Sequence, residues 1–133
     1  MILLDTHVLL WLDREDPALG PDSRELIATA WEKGSVAVSA ISFWEAAMLA
    51  ARGRIDLRQS PESWRLDWLR AGLEEVALDG ALAVAAPALA DFHPDPADRF
   101  IVATALAESA TFVTADQAVL GWSGPLRRQA AGS

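Results

Sequence analysis

The sequence contains no cysteine and is poor in basic residues. Without cysteine, disulfide bonds and thiolate metal sites are excluded, which is typical of a cytoplasmic protein. Lysine and arginine number 11 against 19 aspartates and glutamates, so the formal net charge is -8 at pH 7. A protein that acts on nucleic acid ordinarily has a basic surface. Any contact with a polyanion is therefore predicted to depend on bound cations and a local basic patch, and a basic partner protein is equally compatible.

The sequence also lacks a long apolar run, an internal repeat and an obvious linker. No run approaches the roughly 20 apolar residues that span a bilayer, and the start of the chain has no basic leader or small-residue cleavage site. We therefore expect no membrane segment and a cytoplasmic location. A chain of 133 residues is long enough to bury about two thirds of its unfolded surface. The sequence predicts a single domain over residues 1–133.

Short apolar runs alternate with helical patterns along the chain. Alternating strands and helices build βαβ units, in which the strands are parallel and helices cover both faces of the sheet. The predicted fold class is therefore α/β. The predicted strands are Ile2–Leu4, Val36–Val38, Glu75–Leu78 and Thr111–Val113, with a short edge strand near Leu126.

Capping residues, prolines and glycines mark the ends of six helices. Two begin at a capping residue followed by proline, which suits the first helical turn. Another begins at a capping box, in which Ser42 and Glu45 bond each other's backbone amides. The predicted helices run from His7, capped by Thr6, to about Asp13, from about Asp22 to Lys33, from Ser42 to about Arg52, from Ser60 to about Ala71, from Asp79 through Ala90, and from Asp95 to about Ser109.

Four acidic residues lie where a predicted strand ends or a predicted helix begins. They are Asp5, Glu45, Asp98 and Asp116. Because the carboxyl ends of parallel strands meet at one edge of the sheet, we expect these side chains to converge there. Converging carboxylates repel one another unless a cation or shared protons relieve the charge. The pattern therefore predicts a site for a hard divalent metal ion.

Each of these acids also has a purely structural interpretation. Asp5 would cap the first helix unless Thr6 does so, which would free Asp5 to face the site. Spacing alone favours the capping box for Glu45. Asp98 occupies the third position of its helix, where an acid favours the helix dipole by roughly 0.3 to 1 kcal/mol. Asp116 follows a strand in a loop, where aspartate commonly forms turns. His7 is expected to be packed or solvent-facing.

Four segments in order resemble the PIN-domain ribonucleases, and more narrowly the VapC-type toxins of toxin-antitoxin pairs. These segments are LLDTHVLLWL, SAISFWEAAML, DFHPDPADRFIVATAL and TFVTAD, and they span almost the whole chain. HPDPADRFIVATA is the most specific. The resemblance implies a three-layer α/β/α PIN-like domain with a central, mostly parallel sheet of four to five strands.

The resemblance also implies an activity and its cofactor. The four acids match the family's acidic quartet, which holds Mg²⁺ or Mn²⁺ for hydrolysis of RNA phosphodiester bonds. Thr6 and Thr114 match polar residues that support the site. Asp95 matches the outer aspartate of the DPxDR segment and is assigned to the helix start. The function implied is a metal-dependent endoribonuclease that acts as the toxin of a pair.

Protein partners are implied in the same way. Family members are restrained by a small antitoxin, whose tail often inserts an arginine among the acids, and commonly form homodimers. The six tryptophans are consistent with such contacts. We expect most of them in the core and some in an interface, where aromatic residues are enriched.

Two other functional classes remain open at this point. One is a nuclease-inactive PIN module that only binds partners, if the metal site is not assembled. The other is a haloacid-dehalogenase-like phosphatase, which also begins with an aspartate after the first strand. That class is disfavoured because its second aspartate is replaced by His7, and because the sole lysine, Lys33, precedes the second predicted strand.

Overall fold

A computed structural model describes residues 1–133 as a five-stranded sheet surrounded by helices. The strands are ordered β3-β2-β1-β4-β5, and every neighbouring pair is parallel. The predicted α/β fold with a parallel sheet is therefore confirmed, including the edge strand near Leu126. The strands are β1 (Ile2–Leu4), β2 (Val36–Ser39), β3 (Glu74–Val76), β4 (Thr111–Thr114) and β5 (Arg127–Ala130).

Seven α-helices connect these strands, and a short 3₁₀ turn at Ala86–Ala88 follows the fifth helix. None of them is long and apolar enough to cross a membrane. The helices are α1 (Thr6–Asp13), α2 (Pro21–Glu32), α3 (Ala40–Ala51), α4 (Pro61–Ala71), α5 (Gly80–Ala85), α6 (Pro96–Ala107) and α7 (Gln117–Leu120).

Alternate residues of the central strand face opposite layers of the core. Leu4 packs in one cluster with residues of α1, α2 and α4, whereas Leu3 packs in another with residues of α6 and α7. Both leucines have no exposed surface, so each contributes about 1.5 to 3 kcal/mol of burial free energy. Because side chains alternate along a strand, one apolar run supplies both layers. The arrangement confirms the predicted three-layer α/β/α domain.

Some predicted element boundaries differ from the observed ones. The third strand is Glu74–Val76 rather than Glu75–Leu78. The fifth helix is capped by Asp79 as predicted but ends at Ala85, because Pro87 has no amide hydrogen with which to extend it. The short helix α7 was not predicted from the sequence.

Two predicted helix caps are wrong, and both corrections concern the site. Asp5, not Thr6, caps α1, with its Oδ1 accepting from the amide of Thr6 at 2.8 Å. Ser39, not Ser42, caps α3, because β2 runs directly into the helix without a loop. Ser42 is buried inside α3, so the predicted capping box does not form. Glu45 is therefore not engaged at the helix start.

An arginine fixes the loop between α7 and β5 to the rest of the domain. The guanidinium of Arg128 donates hydrogen bonds only to backbone carbonyl oxygens, at distances from 2.7 to 3.3 Å. Its positive charge is thereby turned toward the main chain. The acceptors are the carbonyls of Val119, Leu120, Trp122, Gly124 and Leu126.

Candidate metal centre

Asp5 lies at the carboxyl end of the central strand and faces the end of β4. Its Oδ1 accepts from the amide of Thr6, and its Oδ2 accepts from the hydroxyl of Thr114 at 2.6 Å. Only 5% of the residue is exposed, and this burial raises the pKa of Asp5, against the opposing effects of His7 and Thr114. Asp5 therefore both caps α1 and faces the edge of the sheet where the site was predicted.

Glu45 lies in the second turn of α3 and is tied to α1 by a hydroxyl group. Thr6 donates from Oγ1 to Oε1 of Glu45 at 2.6 Å, and the same hydroxyl is hydrogen-bonded to that of Ser42 at 2.9 Å. Burial raises the pKa of Glu45, and the nearby charges of Asp5 and Asp95 add to the increase. Thr6 thus holds the Glu45 carboxylate, although it is not the helix cap.

Asp98 lies at the third position of α6, as predicted. Asp95 caps this helix and accepts from the Asp98 amide at 3.2 Å, which confirms the assignment of Asp95 to the helix start. The pKa of Asp98 is raised to about 7 by burial first, and then by the charges of Asp5, Asp95, Glu45 and Asp116. Asp98 is therefore electrostatically coupled to every other acid of the predicted quartet.

Asp116 caps the short helix α7 with one oxygen and faces the site with the other. Its Oδ1 accepts from the amide of Ala118 at 2.8 Å, and its own amide donates to Oγ1 of Thr114 at 3.0 Å. The hydroxyl of Thr114 thus links Asp5 and Asp116. The predicted turn-forming role of Asp116 is confirmed, and it leaves Oδ2 available to the site.

His93 is a neighbour of these acids that sequence reasoning missed. Its Nε2 lies 3.4 Å from Oδ2 of Asp98 and 3.8 Å from Oδ2 of Asp116. A donor atom from each of these three residues lies within 4.8 Å of the others. Because His93 lies in a loop, no helix or strand periodicity in the sequence indicates where its side chain points. The only sequence indication was its position in the HPDPADR segment.

The structure brings the predicted acids to one region but divides them into two sets. Asp98 and Asp116 form a compact group with His93. Asp5 and Glu45 are not part of this group. They accept hydrogen bonds from Thr114 and Thr6, respectively, and their charges contribute to the raised pKa of Asp98.

The charge of this region suits a hard cation. No arginine or lysine forms an ion pair with any of the four acids, and the only side-chain nitrogens within 4.0 Å of their carboxylates belong to histidines. Carboxylate oxygens are the ligands that Mg²⁺ and Mn²⁺ prefer. The donor set therefore fits a divalent ion, whose charge would favour the ionised form of Asp98 against the burial and the neighbouring acids that raise its pKa.

A cavity of about 430 Å³ opens beside the acids. Its mouth includes Trp44, which is 55% exposed and is therefore not a core residue. Of the other tryptophans, Trp64 and Trp122 are buried in the core. The cavity is lined by Ile41, Trp44, Met48, Pro96, Ala97 and Phe100 on its apolar side and by Glu45 and Asp95 on its acidic side.

Comparison with known proteins identifies the family to which this fold and candidate site belong. A family model described as the PIN domain matches residues 2–120. Ribonuclease VapC22 of Mycobacterium tuberculosis is 38% identical over 117 residues, which is 87% of each chain. The chain therefore belongs to the PIN-domain family, as its four sequence segments indicated.

Solved structures agree on the architecture. VapBC2 from Rickettsia felis, bound to a promoter DNA fragment, matches with a TM-score of 0.71 at 19% identity, over 97% of this chain and 98% of that one. DNA-bound VapBC from Salmonella typhimurium matches with a TM-score of 0.66 at 19% identity, over 96% of each chain. FitAB bound to IR36 DNA gives 0.64 at 21% identity, over 100% of this chain and 96% of that one. At such identities these likenesses establish the fold.

Proposed function

We propose that this protein is a metal-dependent endoribonuclease, built as a single PIN-like domain, and the toxin of a toxin-antitoxin pair. The observation that carries the proposal is the set of acids at one sheet edge with no arginine or lysine to neutralise it. Membership of the PIN-domain family and the similarity to ribonuclease VapC22 support the same reaction class.

The acidic quartet is proposed to hold Mg²⁺, with Mn²⁺ as the other candidate. When bound, such an ion neutralises phosphate charge and lowers the pKa of a water molecule, so that phosphodiester hydrolysis proceeds near neutral pH. Before it binds, Asp98 is partly protonated at neutral pH, because burial and the neighbouring acids raise its pKa to about 7. Occupation of the site is therefore expected to release a proton.

The surrounding residues are proposed to orient the acids and the substrate. Thr114 fixes Asp5 and Thr6 fixes Glu45, each by a hydroxyl donor at 2.6 Å, so these carboxylates need little reorganisation. Trp44 is exposed at the mouth of the adjoining cavity. An exposed aromatic ring is a stacking surface for an unpaired RNA base.

Two protein partners are part of the proposal. A cognate antitoxin is supported by the toxin-antitoxin complexes among the structural neighbours. A homodimer is supported by exposed apolar side chains other than Trp44, namely Leu66 and Val84. Light scattering of the purified chain measures its mass directly, and a monomer at all accessible concentrations would exclude the dimer.

The alternative is a nuclease-inactive PIN module that only binds partners. It predicts no binding of Mg²⁺ or Mn²⁺ in calorimetric titration. The phosphatase alternative is not retained, because the family match covers residues 2–120 and assigns them to the PIN domain.

Cleavage of total RNA by the purified protein, with Mg²⁺ or with EDTA, tests the proposed activity. Asp98→Asn and Asp5→Asn are expected to abolish the Mg²⁺-dependent cleavage while the circular dichroism spectrum stays native. Asp67→Asn is the matched control, because Asp67 is an exposed acid on α4, away from the site. Wild-type cleavage by either site variant would refute the assignment of these residues.

A further inference from the structure

His93 presents a buried nitrogen to two carboxylates without bonding to either. Its Nε2 is inaccessible to solvent and has no hydrogen-bond partner, although Oδ2 of Asp98 is only 3.4 Å away. A buried polar atom without a partner costs roughly 1 to 3 kcal/mol. If Nε2 carries no proton, its lone pair faces the negative oxygens directly, and a cation placed among the three atoms removes the repulsion.

The imidazole ring is held in this position from behind. It stacks on Phe92, with ring centroids 4.4 Å apart and planes 26° from parallel. Phe92 is itself buried and packs edge-on against Trp122. The orientation of the His93 ring is therefore determined by the core rather than by the acids.

Arg99 fixes the backbone that carries His93. Its guanidinium donates to the carbonyl oxygen of His93 at 2.9 Å and to that of Phe92 at 2.5 Å. It also donates to the carbonyls of Ala86, Pro87 and Leu89 at 3.2 to 3.4 Å. Arg99 directly follows Asp98 on α6, so one helix positions both the carboxylate and the loop that brings the histidine to it.

We propose that His93 is a nitrogen ligand of the metal ion, alongside Asp98 and Asp116, and that it makes the site prefer Mn²⁺ to Mg²⁺. This inference rests on the proposed function, since it assumes that the acids bind a cation. Adjacent ligands of a six-coordinate ion with bonds of about 2.1 Å lie about 3 Å apart. The observed separations from Nε2, 3.4 and 3.8 Å, need only small movements to reach that spacing.

The preference follows from the chemistry of the donor atom. Both ions favour carboxylate oxygens, but Mg²⁺ is a hard ion that takes oxygen ligands and keeps several waters, whereas Mn²⁺, as a first-row transition ion, accepts an imidazole nitrogen among its ligands more readily than Mg²⁺ does. A site made only of carboxylates would discriminate weakly between Mg²⁺ and Mn²⁺. With His93 among the ligands, loss of the nitrogen is expected to weaken Mn²⁺ binding by about tenfold and Mg²⁺ binding by much less.

Pulsed electron paramagnetic resonance of the Mn²⁺-loaded protein detects a bound nitrogen through its ¹⁴N coupling. The chain has two histidines, so His7→Ala is the matched control. His93→Ala removes the ring, and His93→Phe keeps a ring to stack on Phe92 but has no nitrogen. Calorimetric titration with MnCl₂ and with MgCl₂ is made on the same variants and on Asp98→Asn.

The inference is supported if the ¹⁴N coupling is present in the wild type and in His7→Ala but absent in both His93 variants, with the selective loss of Mn²⁺ affinity. Mn²⁺ binding without a ¹⁴N coupling, or unchanged affinities in both His93 variants, would overturn it and leave the proposed function standing. Unchanged metal binding by Asp98→Asn, or no binding by the wild type, would instead overturn the proposed function.

Discussion

The site has two halves that are held in different ways. The bonded half consists of Asp5, Thr6, Glu45 and Thr114, and both of its carboxylates accept hydroxyl hydrogen bonds of 2.6 Å. The open half consists of His93, Asp98 and Asp116, in which the oxygens and the nitrogen that face one another, 3.4 to 3.8 Å apart, are not hydrogen-bonded.

The two halves differ in whether hydrogen-bond donors of the folded chain satisfy their carboxylates. In the bonded half, hydroxyl donors satisfy the carboxylates, so their positions are set by folding alone. In the open half, side chains are aimed at one another by their helices and loops, but their charge is not compensated. Removing a hydroxyl donor from the bonded half should therefore lower the stability of the protein. Removing a charge from the open half should raise it.

The largest effect is expected from Thr114→Val, which breaks the bonded half. Valine has nearly the same shape but cannot donate to Asp5, so a buried carboxylate loses a partner at a cost of about 2 to 3 kcal/mol. Urea denaturation measures this loss. Thr111→Val is the control, because it makes the same change at the half-buried start of the same strand. Equal stability of the Thr114 variant and the wild type would show that the hydroxyl is not needed.

A smaller effect is expected from Arg99→Lys, which removes the support of the open half. A lysine keeps the charge but cannot reproduce the forked donors, so stability should fall by about 2 kcal/mol. Backbone amides over residues 86–93 should also exchange with deuterium faster than in the wild type. Arg70→Lys on the exposed face of α4 is the control. Unchanged exchange in the Arg99 variant would contradict the role assigned to its hydrogen bonds.

The smallest effect, and one of opposite sign, is expected from Asp98→Asn in metal-free protein. The pKa of Asp98 is about 7 in the folded chain against an ordinary value of 3.8, so the folded state binds the proton more tightly than the unfolded state. The ionised carboxylate therefore destabilises the fold, fully above pH 7 and not at all below about pH 4. After allowance for solvent screening, Asp98→Asn should stabilise the protein by about 1 kcal/mol at pH 8.

Thermal denaturation between pH 4 and pH 8 sharpens the comparison of the halves. The gain of Asp98→Asn over the wild type should vanish as the pH falls from 8 to 4, while Asp67→Asn shows no such trend. A gain independent of pH would mean that the charge of Asp98 is not its cause.

The sequence predicted elements well where local chemistry determines them. Helices α4 and α6 begin where a capping residue precedes proline, and both starts are correct. The start of α3 was predicted wrongly because two serines compete for the cap, and only the pairing of β2 with its neighbours decides that Ser39 ends the strand. Such a choice is tertiary and has no local signature.

The same distinction between local and tertiary determinants applies to the residues of the candidate site. The four acids were identified from their positions at strand ends and helix starts, and the structure gathers them in one region. His93 was missed because its place depends on stacking with Phe92 and on the bonds of Arg99, which are contacts between distant parts of the fold. For Asp5 and Asp116, a helix cap and a place in the candidate site were treated as alternatives, although the two oxygens of a carboxylate allow both, since one oxygen of each residue caps a helix.

The guanidinium groups of Arg99 and Arg128 both donate their hydrogen bonds to main-chain carbonyl oxygens. Because its N–H groups are already hydrogen-bonded, such a guanidinium cannot bind the phosphate groups of a nucleic acid. This holds even for Arg99, which directly follows Asp98 in the sequence. Under the proposed function, neither of these two arginines would displace a counterion from an RNA phosphate, so neither should contribute to the dependence of RNA affinity on ionic strength.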